Sequence, residues 1–138
     1  MLPSEATFSA FLKLNGVKPA SSFVVLYDTK TGGQPFWATR AYWMFQTFGV
    51  KHVRVLDGGF PKWVKEGRPT EEDADAGSED DYKVTINKDI YKNYADIASL
   101  EKEIAEGKSD VQIIDARGEA AYAAGHIPVS KTLFFKKF

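Results

Sequence analysis

The 138-residue sequence contains no cysteine, which excludes disulfide bonds, thiolate metal sites and a cysteine nucleophile. The formal net charge is only −1, so no overall field would recruit nucleic acid or an acidic membrane. No apolar run approaches membrane-spanning length. Met1 to Ser9 lacks the basic start and apolar block of a signal peptide, and no arginine-rich transit peptide is evident.

The sequence does contain enough apolar material for one packed core. Hydrophobic residues make up 43% of the chain and aromatic residues 14%. The length is that of one ordinary domain. We therefore expect one water-soluble domain without a membrane span, and no residue pattern indicates a metal ion or a cofactor.

The stretch 111–128 reads VQIIDARGEAAYAAGHIP. Its apolar start predicts a buried strand, and Asp115 and Arg117 come where that strand would end. A short amphipathic helix follows, which Gly125 can end in a left-handed cap. His126 is expected to begin the returning strand, because the residue before a proline avoids the helical region.

The first half of the chain alternates helical and extended patterns. Ser4 is a good N-cap for a first helix that Asn15-Gly16 would end. A continuous apolar run predicts a buried parallel strand, and an aromatic stripe predicts a helix packed on the sheet. That stripe could line a ligand pocket, but core packing is the simpler interpretation. The predicted segments are a strand at 23–27, a helix from Pro35 to Gly49, a strand at 52–56, a turn at 57–59 and a short helix ending at Gly67.

Both regions resemble the rhodanese and mercaptopyruvate sulfurtransferase family of the two-domain type. The stretch 111–128 resembles the first half of a rhodanese domain. The motifs VVLYD at 24–28, ATRAYWMFQTFG at 38–49 and VLDGGFPKWVKEG at 55–67 resemble the second half of the N-terminal domain. The resemblance implies the α/β class, with a five-stranded, mainly parallel sheet and helices on both faces.

The order of these halves predicts a circular permutation. Residues 1–69 would supply the fourth and fifth strands, 70–81 a linker, and 82–138 the first three strands, with an edge strand at 82–86. We expect one permuted domain over residues 1–138, because the linker is long enough to join the ends. The alternative is two half-domains, each with an open sheet edge, that would need partner chains through swapping or association with missing halves.

The resemblance also assigns site positions in the first half. Asp28 stands where the active domain places its persulfide cysteine, in a loop whose amide groups bind an anion. A carboxylate there would repel an anion, so we interpret the loop as a polar turn, with a remaining anion pocket as the alternative. Arg40 matches a family arginine that is expected to form a structural hydrogen bond or ion pair. Asp57 is expected to cap the following helix.

In the second half, the candidate residues are Asp115, Arg117 and His126. We interpret the first two as an internal brace, with a place on the rim of a site as the alternative. His126 is expected to make a structural hydrogen bond, since a general base would have no nucleophile to serve. Ala121 stands where tandem enzymes often carry a substrate-binding arginine.

Two further segments are candidates for contact with a partner protein. The stretch 71–81 contains seven acidic residues and no basic one, which predicts a solvated linker or, alternatively, an acidic docking segment for a basic partner. The tail 129–138 leaves the family pattern and is aromatic and basic, so it could pair with a partner or mark a truncated product.

These features predict a pseudoenzyme. Without the cysteine the chain cannot hold a persulfide, so we expect a non-catalytic rhodanese-like module that binds protein partners or forms a subunit of a complex. The alternative is a sulfurtransferase that is active only when another chain supplies the cysteine loop. The family resemblance suggests an intracellular and mitochondrial location, with the cytoplasm as the alternative.

Overall fold

The computed structural model describes residues 2–29, 36–72, 77 and 82–133. The chain divides into two compact parts, the N-terminal unit Met1–Tyr91 and the C-terminal unit Lys92–Phe138. The N-terminal unit contains α1 (Glu5–Leu14), β1 (Phe23–Leu26), α2 (Phe36–Thr47), β2 (His52–Val55) and α3 (Gly59–Lys65). The C-terminal unit contains α4 (Tyr94–Ala105), β3 (Ile114–Asp115), α5 (Glu119–Ala124) and β4 (Lys131–Thr132).

The predicted limits of α1 are confirmed. The Ser4 side chain accepts a hydrogen bond from the Thr7 amide at 3.1 Å, which satisfies one of the unpaired donors of the first turn. Asn15 caps the other end, and Gly16 follows with φ 63°. Glycine enters this left-handed region without a Cβ clash, so it can turn the chain away from the helix.

The two strands of the N-terminal unit form a parallel pair, as predicted. Phe23 lies opposite His52, and Leu26 lies opposite Val55. A parallel pair needs a crossover connection, and α2 supplies it between the two strands.

The core of the N-terminal unit lies between this sheet and the first two helices. The Phe8 ring of α1 stacks on Phe48 at 4.3 Å between ring centroids and meets Phe45 edge-on at 5.2 Å. Val53 of β2 is fully buried against this cluster. Two aromatic residues of the predicted stripe, Phe45 and Phe48, are therefore core, whereas Trp37, which the prediction also placed on it, is 61% exposed in the first turn of α2.

The other face of the sheet is open, so the prediction of a fully buried β1 is wrong. Side chains alternate between the two faces of a strand. Val24 and Leu26 pack on the core, whereas Phe23 is 83% exposed and Val25 56% exposed. Helices α1 and α2 thus cover only one face of the pair.

The segment 82–86 is not the predicted edge strand. It runs along the N-terminal unit without forming a sheet ladder, and its apolar side chains pack on the core. The Ile86 amide donates to Glu5 Oε1 at 2.8 Å, and the Asn87 amide donates to the Thr47 carbonyl at 2.8 Å. This segment therefore belongs to the N-terminal unit.

The C-terminal unit begins with a capping box. The Asn93 side chain accepts from the Asp96 amide, and the Asp96 side chain accepts from the Asn93 amide, so two unpaired donors of α4 are satisfied. Strands β3 and β4 pair in parallel, with Ile114 opposite Lys131.

Two predictions for this unit are wrong. The run 111–114 is not a buried strand, because only its last residue enters β3 and Val111 and Ile114 are both exposed. The returning strand begins at Lys131 rather than at His126, because the residues between them form a turn.

Within the described residues, the strands form two parallel two-stranded sheets, one in each unit. Closure of the whole chain into one permuted domain stays a prediction. Much of the predicted linker, at 73–76 and 78–81, lies outside the described residues, as do 30–35 and the tail end 134–138. No helix in the described part of the chain is long and apolar enough to cross a membrane.

Candidate functional site

The Asp28 side chain is held at the start of α2. Its Oδ2 accepts hydrogen bonds from the amides of Trp37 at 3.1 Å and Ala38 at 3.2 Å. Both amides belong to the first turn of the helix, where backbone donors have no partner within the helix. A negative charge at this end is also favoured by the helix dipole.

The same residue ties β1 to α3 through its backbone. The Asp28 carbonyl accepts from the Phe60 amide at 3.0 Å. Gly59, with φ 55°, allows this approach, because a Cβ there would lie 2.7 Å from the Asp28 carbonyl oxygen. Asp28 is thus a junction of one strand and two helices.

The Asp28 carboxylate does more than repel an anion. It accepts the backbone hydrogen bonds that a bound anion would otherwise accept. Two of the amides that converge on this position are engaged by the chain's own carboxylate. The sequence predicted the charge at residue 28 but missed its use as a helix cap. No local signal was available, because the capping preference of aspartate concerns the residue directly before a helix, and α2 begins only at Phe36.

The other two candidates in the N-terminal unit are Arg40 and Asp57. Arg40 is an exposed residue of α2. Asp57 does not cap α3, which begins after Gly58 without a side-chain cap. The Asp57 carboxylate instead lies 3.4 Å from Lys62 Nζ in an exposed ion pair, so the capping prediction is wrong.

In the C-terminal unit, Asp115 and Arg117 form a two-pronged ion pair. Arg117 Nη2 donates to Asp115 Oδ2 at 2.6 Å, and Nε donates to Oδ1 at 2.9 Å. The Arg117 amide also donates to Oδ1 at 2.9 Å. Two parallel hydrogen bonds between a planar guanidinium and a planar carboxylate make such a pair both strong and directional. The predicted contact is present, at the end of β3.

The ion pair lowers the pKa of Asp115 and raises the pKa of Arg117, as expected when each charge stabilises the other. The side-chain hydrogen bonds from Arg117, then its amide, lower the pKa of Asp115 from 3.8 to about 2. Hydrogen bonding to Asp115 in turn raises the pKa of Arg117. Both groups therefore remain charged across the physiological range.

Arg117 also holds the turn after α5. Its Nη2 donates to the Gly125 carbonyl at 2.7 Å. Gly125 has φ 147° and ψ 136°, a backbone region that favours glycine but is not the predicted left-handed cap. The arginine thus links the end of β3 to the end of α5.

His126 packs on a residue that the sequence patterns did not single out. Its ring stacks on Tyr122 at 3.7 Å between centroids, and Nδ1 lies 2.9 Å from the Tyr122 carbonyl oxygen. Tyr122 Oη donates to the Ser130 carbonyl at 2.7 Å. The four-residue spacing of Tyr122 and His126 was the signal that could have identified this pair.

These residues border an open cleft of about 510 Å³ in the C-terminal unit, lined by Asp115, Arg117, His126 and Ser130 among others. The Ser130 hydroxyl is buried and finds no hydrogen-bond partner in the described part of the chain, and Val129 before it has φ 60°. A β-branched residue is strained in that region.

Within the described residues, no group of three histidine or acidic side chains converges as a metal site would require.

The chain resembles known sulfurtransferases over most of its length. It is 34% identical to the thiosulfate sulfurtransferase of Gallus gallus over 147 aligned residues, covering 100% of this chain and 48% of that protein. It is 32% identical to the 3-mercaptopyruvate sulfurtransferase of Escherichia coli K12, covering 93% of this chain and 46% of that protein. No family model matches the sequence.

The structural comparison agrees with these identities. The crystal structure of the 3-mercaptopyruvate enzyme SseA of Escherichia coli matches 96% of this chain with a TM-score of 0.74 and 32% identity. The chain is therefore similar to rhodanese-family sulfurtransferases in sequence and has the rhodanese fold. Its α/β class and parallel pairing are those of the rhodanese fold, as predicted. The chain spans about half the length of the sulfurtransferases that it matches, at 48% of the Gallus gallus protein.

Proposed function

We propose that this chain is a non-catalytic rhodanese-like module that acts by binding protein partners or as a subunit of a complex. The observation that carries the proposal is the pairing of no cysteine with a carboxylate at residue 28 that is bonded to two helix amides. Sulfur transfer in this family requires a thiolate that attacks a sulfane sulfur and then releases it. Aspartate cannot form that bond.

The C-terminal unit supports the same proposal. Ala121 stands where tandem enzymes often carry a substrate-binding arginine. Arg117 could not readily replace it, because its Nε and Nη2 groups are used by Asp115 and Gly125. Asp115 and Arg117 therefore act as a brace in this proposal, and His126 as a packing residue.

The second candidate is a sulfurtransferase that works only with a cysteine loop from another chain. The open cleft beside Arg117 and His126 favours it, because a loop from a partner could enter there. In that case the chain would supply part of the rim of a shared site. The relatives named thiosulfate and 3-mercaptopyruvate sulfurtransferase give the donor compounds to test.

Thiocyanate formation from cyanide distinguishes the two candidates. The purified chain is incubated with cyanide and either thiosulfate or 3-mercaptopyruvate, with the Escherichia coli enzyme as a positive control. We expect turnover no faster than in buffer alone. Turnover by the isolated chain contradicts the non-catalytic proposal, and turnover that appears only with a cysteine-containing partner favours the second candidate.

The family resemblance extends the proposal to a mitochondrial location, with the cytoplasm as the alternative. Cell fractionation of the tagged full-length protein tests it. Recovery in the mitochondrial matrix fraction is the expected result, and recovery only in the cytosolic fraction contradicts it.

A further inference from the structure

Three aromatic side chains border a cleft of about 520 Å³ in the N-terminal unit: Tyr27 directly after β1, and Phe60 and Trp63 of α3. We call it the aromatic cleft. The Tyr27 and Phe60 rings lie nearly parallel, with 6.0 Å between centroids and 23° between planes. Trp63 Nε1 donates to the Pro69 carbonyl at 2.8 Å, which fixes the orientation of the indole. The cleft therefore has a wall of aromatic rings whose positions are set by contacts within the chain.

One ring of this wall already contacts a cation. The Arg68 guanidinium carbon lies 5.2 Å from the centre of the Trp63 ring, and Arg68 borders a neighbouring cleft that Trp63 also borders. The faces of aromatic rings attract cations, and the planar, weakly hydrated guanidinium of arginine stacks on them. Within the described residues, no arginine or lysine borders the aromatic cleft itself. The Trp63 indole is thus a surface that binds an arginine on one side and is open to a further cation on the other.

The aromatic cleft is also bordered by a carboxylate that lacks a cation. Glu71 lines it and forms no hydrogen bond or ion pair with another described residue. The two cations of the neighbouring cleft are each matched, Lys62 by Asp57 and Arg68 by Glu66. An apolar ligand would take water from Glu71 without giving it a partner, which is unfavourable. The combination of aromatic rings and one unmatched negative charge is therefore complementary to an organic cation.

The charge that follows this cleft in the sequence indicates a ligand with more than one positive charge. Residues 71–81 contain seven acidic residues and no basic one. Complementary charge steers the encounter of two proteins and disfavours partners of like charge. A single small cation would make little use of this charge, whereas a peptide with several basic residues would be attracted by it.

We propose that the aromatic cleft binds an arginine side chain of a basic peptide segment in a partner protein. The guanidinium packs against the rings of Tyr27, Phe60 and Trp63 and pairs with Glu71. Further basic residues of the peptide are attracted by the negative charge that begins there. The inference rests on the proposed protein-binding function and names the chemistry of the partner.

A short fluorescein-labelled peptide of arginine, glycine and serine is the probe, titrated with the full chain and followed by fluorescence anisotropy. Two matched peptides replace every arginine by lysine or by phenylalanine. We expect the lysine peptide to bind several-fold more weakly, because an ammonium group is more strongly hydrated and stacks less well on aromatic rings. The phenylalanine peptide should bind more weakly still, since it leaves Glu71 without a cation.

Replacing an aromatic ring tests the stacking contact. Tyr27→Ala should weaken binding of the arginine peptide about fivefold, because it removes one cation–π contact. Tyr94→Ala is the matched control: Tyr94 is 91% exposed at the start of α4 and should leave the affinity unchanged. Circular dichroism confirms that both variants are folded.

Replacing a carboxylate tests the ion pair separately. Glu71→Gln should weaken binding about threefold at low salt, with a smaller effect at high salt. Glu72→Gln removes the same charge one residue further along, outside the lining of the cleft, and should have a distinctly smaller effect. Equal losses would mean that the acidic stretch attracts the peptide without a site, and would overturn the inference.

Several other outcomes also overturn it: no binding of the arginine peptide, binding of the lysine or phenylalanine peptide as tight as that of the arginine peptide, or equal effects of Tyr27→Ala and Tyr94→Ala. These results are independent of thiocyanate formation. Absence of peptide binding without turnover overturns this inference alone, whereas turnover by the isolated chain contradicts the proposed function and leaves peptide binding unchanged.

Discussion

The carboxylate of Asp28 accepts a hydrogen bond from the amide of Ala38 at 3.2 Å, at the start of α2. The Trp37 amide joins it at 3.1 Å. A persulfide and an aspartate place their terminal atoms the same number of bonds from Cα. Oδ2 of Asp28 thus stands where the outer sulfur of a persulfide would stand, and carries a similar negative charge.

Removing this carboxylate should destabilise the N-terminal unit. Asp28→Ala leaves the amides of Trp37 and Ala38 without the side-chain acceptor, and loss of such a cap costs about 1 kcal/mol. Asp28→Asn keeps an acceptor oxygen and should cost less. Urea unfolding followed by tryptophan fluorescence measures both. Equal stability of Asp28→Ala and the unmodified chain would contradict the capping role.

Asp28→Cys should give the chain a sulfur-accepting group. The new thiolate would attack the sulfane sulfur of thiosulfate, forming a cysteine persulfide as the S–S bond of thiosulfate breaks and sulfite leaves with its electron pair. The amides of Trp37 and Ala38 would then face the outer sulfur, and cyanide would remove that sulfur as thiocyanate.

The measurement is cyanide-releasable sulfur after loading with thiosulfate and removal of excess donor. We expect up to one sulfur per chain for Asp28→Cys and none for the unmodified chain or for Asp28→Ser. A folded Asp28→Cys variant that gains no mass from an added sulfur would contradict the comparison between carboxylate and persulfide.

Local sequence signals predicted the helices well. Ser4, Asn15 and Gly16 mark the limits of α1, because capping depends on side chains within a few residues. The apolar run at β1 likewise predicted a parallel strand. These features depend on residues that are neighbours in the sequence, so the local pattern is enough to predict them.

Burial and tertiary contacts were predicted less well. Val25 and Ile114 have the apolar character of core residues but are exposed, because burial depends on which other segment covers the sheet. The alternation at 82–86 predicted a strand, yet Glu5 binds the Ile86 amide. A side chain so distant in the sequence leaves no local signal.

The junction between β1 and α3 should be intolerant of a side chain at Gly59. A Cβ there would lie 2.7 Å from the Asp28 carbonyl oxygen, and φ is 55°. Gly67 has φ 68°, but a Cβ at that position would meet no described atom within 4 Å.

Both Gly→Ala changes incur the left-handed backbone penalty of about 1–2 kcal/mol, and Gly59→Ala adds the clash. We expect Gly59→Ala to lower the free energy of unfolding distinctly more than Gly67→Ala, as measured by urea unfolding. Equal losses would mean that the Asp28–Phe60 contact shifts without cost.

The Asp115–Arg117 pair should make the C-terminal unit sensitive to acid. The pKa of Asp115 is lowered from 3.8 to about 2 by its hydrogen bonds with Arg117. A carboxylate whose pKa is lower in the folded state stabilises that state above its unfolded pKa, and the contribution is lost as the pH falls. The loss should therefore begin near pH 4 and be complete below about pH 2.

Carboxyl-carbon NMR of the full chain measures this titration directly. We expect the midpoint of Asp115 near 2 in the unmodified chain and a return toward the ordinary value in Arg117→Ala, because the hydrogen bonds from the Arg117 side chain are lost. Arg68→Ala is the matched control, since Arg68 pairs with Glu66 in the N-terminal unit and should leave the Asp115 midpoint unchanged. An Asp115 midpoint near 3.8 in the unmodified chain would show that the pair does not persist in solution.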